Sequence, residues 1–336
     1  MSINAEMLTF HFVNCIAVGA NILLIWLLLK KSKTIQGNFV KLMVAFSVLE
    51  IMFSLVNSII IPSTHSFPNG LIIFSSQSIL NNHGSMSLIM LVVFFNLFHG
   101  LIIFLSILFM YRYKIIENYA SFVKPQSHLK KVAVYFLLTT AIFNGLLLAF
   151  HSTAEDDVIA EGALHEHGYN ASETSYICLF VWRQETNGDI EHNLLRITGL
   201  FLGSIHLTFI MSSIGYSWYK IRQKLNDDIY LHARNFQKQI FDVLTYQVII
   251  LIVFVSLPLL LSIASVRFDL DHECIHDVTR LLTSVHPLLN AYVTIYTMED
   301  LRAVVFGNHH FRRVHDGHVT NIATINSGIP MTNFRI

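Results

Sequence analysis

The chain has 336 residues, of which 53% are hydrophobic and only 13% are charged, and its 22 basic and 22 acidic side chains cancel to a net charge of zero. A soluble domain carries about 25% charged residues, so this composition argues against a soluble enzyme, a nucleic-acid-binding protein and a disordered chain. Three cysteines are too few for a disulfide-rich scaffold.

Seven mainly apolar stretches have, or approach, the length of about 20 residues that a helix needs to cross a bilayer. In chain order they are Met7–Leu29, Val40–Ile61, Met86–Met110, Val132–Phe150, Leu194–Tyr219, Ile240–Ser265 and Leu281–Met298. A shorter apolar patch, Leu71–Ile73, is interpreted as a loop contact. The loops between the stretches are too short for an independent soluble core. We therefore predict an all-α bundle of seven transmembrane helices over residues 1–302, followed by a flexible tail over residues 303–336.

The basic residues indicate the orientation of this bundle, because Lys and Arg stay on the cytoplasmic side. Of the 22 basic residues, 18 fall after the first, third and fifth stretches or in the tail. The other loops hold most of the acidic residues. The N-terminus is therefore expected outside and the C-terminus in the cytoplasm. A candidate N-glycosylation site at Asn170, in the triplet Asn170-Ala171-Ser172, lies in a loop assigned to the outside.

Three polar residues, Asn21, Glu50 and Asn290, lie at one depth on the first, second and seventh helices. An ionisable or polar group at membrane depth is costly and usually faces the interior of the bundle. We favour one shared hydrogen-bond network that differs between two states of the bundle. Three separately satisfied residues remain the alternative.

Further residues within the helices are candidates for a cavity and for helix pivots. Six polar side chains could contact a ligand, although each could instead bond one helix to another: Asn96, His99, His206, Tyr246, Gln247 and His286. Their inward-facing neighbours are mostly apolar, so such a cavity would suit a small and mostly apolar compound. Pro258 and Pro287 each remove a backbone hydrogen bond, and the resulting kink is either a pivot or a static bend.

Several short motifs, in order along nearly the whole chain, carry a resemblance to a known family. They are Gly19–Asn21, Gly37–Met43, Phe46–Ile51, Ile61-Pro62, His65-Ser66, Phe109–Tyr113, Gln237–Phe241 with Leu244 and Gln247, His286-Pro287 and Asp300–Arg302. In these motifs the chain resembles the nematode serpentine chemoreceptors of the str type. The resemblance implies a seven-helix receptor in the plasma membrane of chemosensory neurons. It also implies a small odorant or related cue as ligand, and a heterotrimeric G protein as partner.

The same resemblance gives roles to a triplet at the end of the third helix. Tyr111-Arg112-Tyr113 takes the place of the acidic-Arg-Tyr triplet of rhodopsin-like receptors, which implies that Arg112 contacts the G protein. The alternative is that Arg112 is only a positively charged anchor on the cytoplasmic side. The seventh helix has His286-Pro287 and Asn290 in place of Asn-Pro-x-x-Tyr, and no cysteine lies near the start of the third helix. The missing cysteine removes the usual disulfide to the second outer loop and so argues against a rhodopsin-style pocket.

Two cysteines, Cys178 and Cys274, fall in the loops assigned to the outside, where conditions are oxidising. A disulfide between them is one reading, and two free thiols are the other.

One motif is typical of a zinc protease and not of a receptor. His272-Glu273-Cys274-Ile275-His276 spells the H-E-x-x-H pattern of zinc proteases. It lies in a short loop before the seventh helix, without a further ligand at a usable position or a soluble domain to hold a substrate. We therefore expect no enzyme, no metal and no cofactor. The rival functions left open are a rhodopsin-like peptide receptor, which the acidic outer loops would suit, and a ligand-gated channel or transporter.

Overall fold

A computed structural model of the chain describes residues 2–31, 37–67, 70–75, 84–117, 125–166, 174, 176–180, 182–184, 190–226, 234–268 and 272–307. The described residues form ten α-helices and five short strands. The helices are α1 Ser2–Lys30, α2 Gly37–Ile60, α3 Gly84–Glu117, α4 Pro125–Leu147, α5 Ala154–Glu166, α6 Leu194–Asn226, α7 Arg234–Leu251, α8 Leu257–Phe268, α9 His272–Thr297 and α10 Glu299–Phe306. The strands are β1 Pro62–Phe67, β2 Gly70–Ser75, β3 Tyr176–Cys178, β4 Trp182–Gln184 and β5 Ile190–His192.

Six helical spans of the described residues are long and apolar enough to cross a membrane. They are Met7–Lys30, Phe39–Ile60, Met86–Glu117, Lys130–Phe150, Leu194–Asn226 and Phe236–Ser262. In lipid every backbone polar group must be satisfied within the protein, so long apolar segments become helices. These spans confirm the first six predicted segments, although α3 and α6 continue several residues past the predicted ends.

The predicted seventh segment lies within α9, which is long enough to span but less apolar. Its first turns carry charged residues, and polar side chains follow on the face that packs against the bundle. Helix α9 contacts α1, α2, α7 and α8, and so it occupies a central place in the bundle. Hydropathy is a weak signal for such a helix, because its polar residues are turned away from lipid.

The main hydrophobic core lies between α1, α2, α3, α6, α7 and α9. Its largest fully buried side chains include Phe39, Phe46, Phe53 and Phe109. Large apolar side chains such as Leu137 and Phe209 are instead exposed on the outside of the bundle, as expected for a surface that faces lipid.

A small antiparallel sheet covers the end of the bundle where α2 ends and α3 begins. We call this end the sheet end, and the opposite end, where α1 ends and α2 begins, the tail end. The strand order is β1-β2-β3, with Thr64 opposite Ile73 and Ile73 opposite Ile177. A separate ribbon pairs β4 with β5. Helix α5 packs on the three-stranded sheet and closes a second apolar cluster around Ile72.

The sequence analysis did not predict these strands. Leu71–Ile73, interpreted as a loop contact, lies inside β2, where all six residues are buried. The molecule is nevertheless mostly helical, as predicted. The proposed boundary at residue 302 falls inside α10, which runs from Glu299 to Phe306. The division into a receptor domain and a tail stays a prediction.

Candidate functional site

A chain of buried polar side chains runs along the inner face of α9. The Asn290 amide nitrogen donates to Glu50 Oε1 on α2 at 2.6 Å, and it also donates to His286 Nε2 at 3.2 Å. Both Glu50 and Asn290 are only 1% exposed. A carboxyl group buried at membrane depth is costly, and the Asn290 amide offsets part of that cost.

The same chain extends to the first and sixth predicted segments. The Gln247 amide on α7 donates to Thr294 Oγ1 at 3.2 Å, and Thr294 in turn donates to the Asn290 carbonyl. The Asn21 amide on α1 donates to the Pro287 carbonyl at 3.2 Å. We call the set Asn21, Glu50, Gln247, His286, Asn290 and Thr294 the polar chain. Of the three residues that the sequence placed at one depth, Glu50 and Asn290 bond directly, while Asn21 bonds to the backbone of α9.

A second group of buried polar residues lies nearer the sheet end and joins the same helices. The Asn57 amide donates to Asn14 Oδ1 at 3.2 Å and to Ser284 Oγ at 2.9 Å. Sequence reasoning missed these three residues and Thr294. The sequence spacing could have predicted Thr294, because His286, Asn290 and Thr294 are four residues apart and so share one face of α9.

The sixth predicted segment is interrupted near Pro258. Between α7 and α8 the helix widens into one π-helical turn over Ile252–Ser256. Proline cannot donate to the carbonyl four residues before it, and a π-turn is one way in which a helix absorbs that lost bond. Pro287 lies inside α9, which continues without a break.

Two side-chain pairs join α3 to its neighbours. Asn96 and Asn144 exchange amide hydrogen bonds of 2.9 and 2.8 Å between α3 and α4. His99 and His206 approach each other with their Nε2 atoms 3.1 Å apart, between α3 and α6. The His99 ring also stacks on Phe143 at 4.0 Å between centroids.

The six ligand candidates therefore lie in different places. Gln247 and His286 belong to the polar chain, whereas Asn96, His99 and His206 lie between α3, α4 and α6. Tyr246 is 49% exposed on the outer surface of α7. Whether any of them contacts a ligand stays a prediction.

The triplet at the tail end of α3 places one charge in the core. Arg112 is fully buried, and its three guanidinium nitrogens have no hydrogen-bond partner among the described residues. Its Cζ atom lies 5.6 Å from the ring centroid of Phe39 on α2. Tyr113 instead points to the surface, where it donates to Glu117 at 2.6 Å and packs edge-to-face against Tyr216.

An ion pair at the sheet end ties α5 to α6. Arg196 donates to both carboxylate oxygens of Asp156, at 2.9 and 2.5 Å. Asp156 also accepts from the backbone nitrogen and the hydroxyl of Thr153 at the start of α5. Burial alone would raise the pKa of Asp156, but the hydrogen bonds from Arg196 and Thr153 hold it below its ordinary value.

A cavity of about 320 Å³ opens beside this ion pair. Its lining mixes charged, polar and aromatic side chains, including Glu155, Phe180, Trp182 and His192. A volume near the lower limit for ligand pockets suits a small molecule.

The structure describes the predicted cysteine, glycan and zinc-motif positions only in part. Cys178 is buried and has no disulfide partner among the described side chains, and burial raises the pKa of its thiol to about 12. The side chain of Cys274 and the whole of Asn170 lie outside the described residues, so the disulfide and the glycan stay predictions. The side chains of His272, Glu273 and His276 are likewise not described. Among the described residues, no three His, Cys, Asp or Glu side chains are grouped to hold a metal.

Comparison with known proteins shows which family the chain belongs to. It is similar to the G-protein coupled receptor str-33 of Caenorhabditis elegans, at 30% identity over 108 residues. That alignment spans 32% of this chain and 31% of the relative, and so covers only about a third of the relative's length. The family described as serpentine type 7TM GPCR chemoreceptor Str matches residues 7–306. The chain therefore belongs to the Str family of serpentine seven-transmembrane chemoreceptors, which is a family of multi-pass membrane receptors and not of enzymes.

Proposed function

We propose that this receptor detects a small, mostly apolar odorant or related chemical cue and signals to a heterotrimeric G protein. We further propose that it acts at the plasma membrane of chemosensory neurons, as part of olfaction. The observation that carries the coupling role is Arg112, a fully buried guanidinium at the tail end of α3 with no hydrogen-bond partner among the described residues. Burying such a charge without hydrogen bonds is costly, so a state in which Arg112 gains acceptors from a partner would be favoured.

The orientation that we propose puts the N-terminus outside and the tail end in the cytoplasm. The basic residues clustered after α1, α3 and α6 support it. With this orientation Arg112 lies on the side of the membrane where a G protein is found. The candidate N-glycosylation site Asn170 would then belong to a loop on the outer side.

For the ligand we propose the region between α3, α4 and α6. The pairs Asn96–Asn144 and His99–His206 supply polar atoms there among apolar and aromatic neighbours such as Phe143. This mixture of a few polar groups in an apolar surrounding is typical of sites for small organic molecules. The cavity beside Asp156 would then serve as an entrance at the outer surface.

The polar chain is our candidate for the link between the two ends. It joins α1, α2, α7 and α9 through buried hydrogen bonds, and α7 continues into the π-turn that precedes Pro258. A buried polar network has a few discrete bonding arrangements, which is what a two-state element requires. Ligand binding would favour one arrangement, move the helices at Pro258 and Pro287, and uncover Arg112.

A cell-based screen tests the proposal. The receptor is expressed with a cAMP or calcium reporter, its surface level is measured, and volatile compounds are compared with peptides. We expect a volatile to give a response that Arg112→Ala abolishes and that the matched control Arg222→Ala, an exposed basic residue at the same end, retains. His206→Leu should shift the half-maximal concentration of that volatile by roughly tenfold, the effect of about one hydrogen bond. A volatile response that Arg112→Ala leaves unchanged would remove the coupling role from Arg112, and a response to peptides alone would favour a peptide receptor.

A further inference from the structure

Arg112 needs something to hold it in the core when no partner is bound. A buried cation normally has hydrogen-bonded or charged neighbours, yet none of its nitrogens has a hydrogen-bond partner among the described residues. Within the described part of the chain, an aromatic ring does face the guanidinium.

That ring belongs to Phe39, the third residue of α2. The Arg112 Cζ atom lies 5.6 Å from its centroid, within the distance at which a cation is attracted to the face of a ring. Phe39 is 1% exposed and Arg112 is fully buried. The attraction is stronger where water is excluded, so this pair differs from the contacts at the surface, such as Lys30 over the half-exposed Trp26.

The Phe39–Arg112 contact joins two helices at the end of the bundle where we propose that the G protein binds. Phe39 lies in the first turn of the second helix and Arg112 near the end of the third, so the contact bridges two helices at the tail end. A ring offers attraction but accepts no hydrogen bond of ordinary strength. A guanidinium that faces a ring, and has no hydrogen-bond acceptor among the described residues, can exchange that contact for carbonyl or carboxylate acceptors.

We propose that Phe39 is the positioning residue that keeps Arg112 inward in the resting receptor. Loss of the contact releases the guanidinium toward the cytoplasmic surface, where it binds acceptor oxygens of the G protein. The inference rests on the proposed function, because it assumes that Arg112 couples the receptor to a G protein.

The test compares signalling without ligand among variants at equal surface expression. Phe39→Leu keeps an apolar side chain but removes the ring, and we expect it to raise the ligand-free signal by roughly threefold to tenfold, within the range of a desolvated cation–π contact. Phe39→Trp keeps a ring and should leave the signal near the wild-type value. The matched control is Phe46→Leu, since Phe46 is also buried on α2 but stacks on Phe104 instead of an arginine. It should not raise the signal.

A double variant separates this inference from the proposed function. Phe39→Leu combined with Arg112→Ala should return to the low signal of Arg112→Ala alone. If Phe39→Leu fails to reach the surface, Phe39→Met takes its place. A ligand-free signal that stays at the wild-type level in the ring-free variant, or that rises equally without Arg112, overturns the role of Phe39 while leaving the coupling role intact. A wild-type receptor that activates no G protein overturns both.

Discussion

At the scale of single residues, the ion pair between Asp156 and Arg196 has a defined pH dependence. The pKa of Asp156 in the folded receptor is lower than its ordinary value of about 4. The pair therefore stabilises the fold at pH values above that ordinary pKa, and the contribution is lost as the pH falls through the lower, folded pKa. At pH 7, Asp156→Asn should reduce the free energy of unfolding by about 3 kcal/mol, since it leaves a buried Arg196 without its carboxylate.

The thermal unfolding midpoint of the purified receptor, measured from pH 7 to pH 3, checks this prediction. Asp277→Asn is the matched control, because the Asp277–Arg280 pair is exposed and should contribute almost nothing. Equal midpoints for the two variants at pH 7 would contradict the prediction.

The bond between Asn290 and Glu50 allows a second prediction at this scale. Asn290→Leu should lower the free energy of unfolding by about 1–3 kcal/mol, because it leaves the buried Glu50 carboxyl without its donor. Changing both partners, with Glu50→Met and Asn290→Leu together, should recover the part of that loss that comes from the unsatisfied carboxyl group, while His286 Nε2 stays without the Asn290 donor. Thermal midpoints of the two variants provide the measurement. A double variant that is less stable than Asn290→Leu alone would count against a direct bond.

At the scale of structural elements, the three-stranded sheet depends on close backbone approach at Gly70. A Cβ atom at this position would lie 2.3 Å from the Leu179 carbonyl oxygen. Gly70→Ala should therefore displace β2 from the segment after β3 and increase amide hydrogen exchange in β1 and β2. Gly145→Ala is the control, because a Cβ atom there meets nothing within 4 Å and Ala favours a helix. Unchanged exchange in the sheet of the Gly70 variant would show that the contact is not tight.

The π-turn before Pro258 supports a prediction about movement. Pro258→Ala restores a backbone donor and should favour a regular α-helix through Ile252–Ser256. If this region is the pivot, the maximal response to an activating volatile should fall severalfold at unchanged surface expression. A full response from the variant would leave Pro258 with only a static role.

At the scale of the whole molecule, the sequence predicted the bundle well because bilayer thickness constrains helix length. Asn21, Glu50 and Asn290 were expected to share one network because they lie at one depth and polar groups in a membrane usually face the bundle interior. The strands around Ile72 and Ile177 could not be predicted, since they come from segments about a hundred residues apart and neither has a strong alternating pattern. The contact of Phe39 with Arg112 was missed for a related reason, because nothing in an apolar helix shows which ring will face a distant charge.

The most direct test of the central claim is nucleotide exchange on a purified heterotrimeric G protein by the receptor reconstituted in lipid. With an activating volatile, we expect the wild-type receptor to accelerate exchange and Arg112→Gln to leave it at the rate seen without receptor. Acceleration by Arg112→Gln equal to that of the wild type would contradict the coupling role. Ion flux through the same membranes in the absence of any G protein, with no effect on exchange, would instead identify a ligand-gated channel.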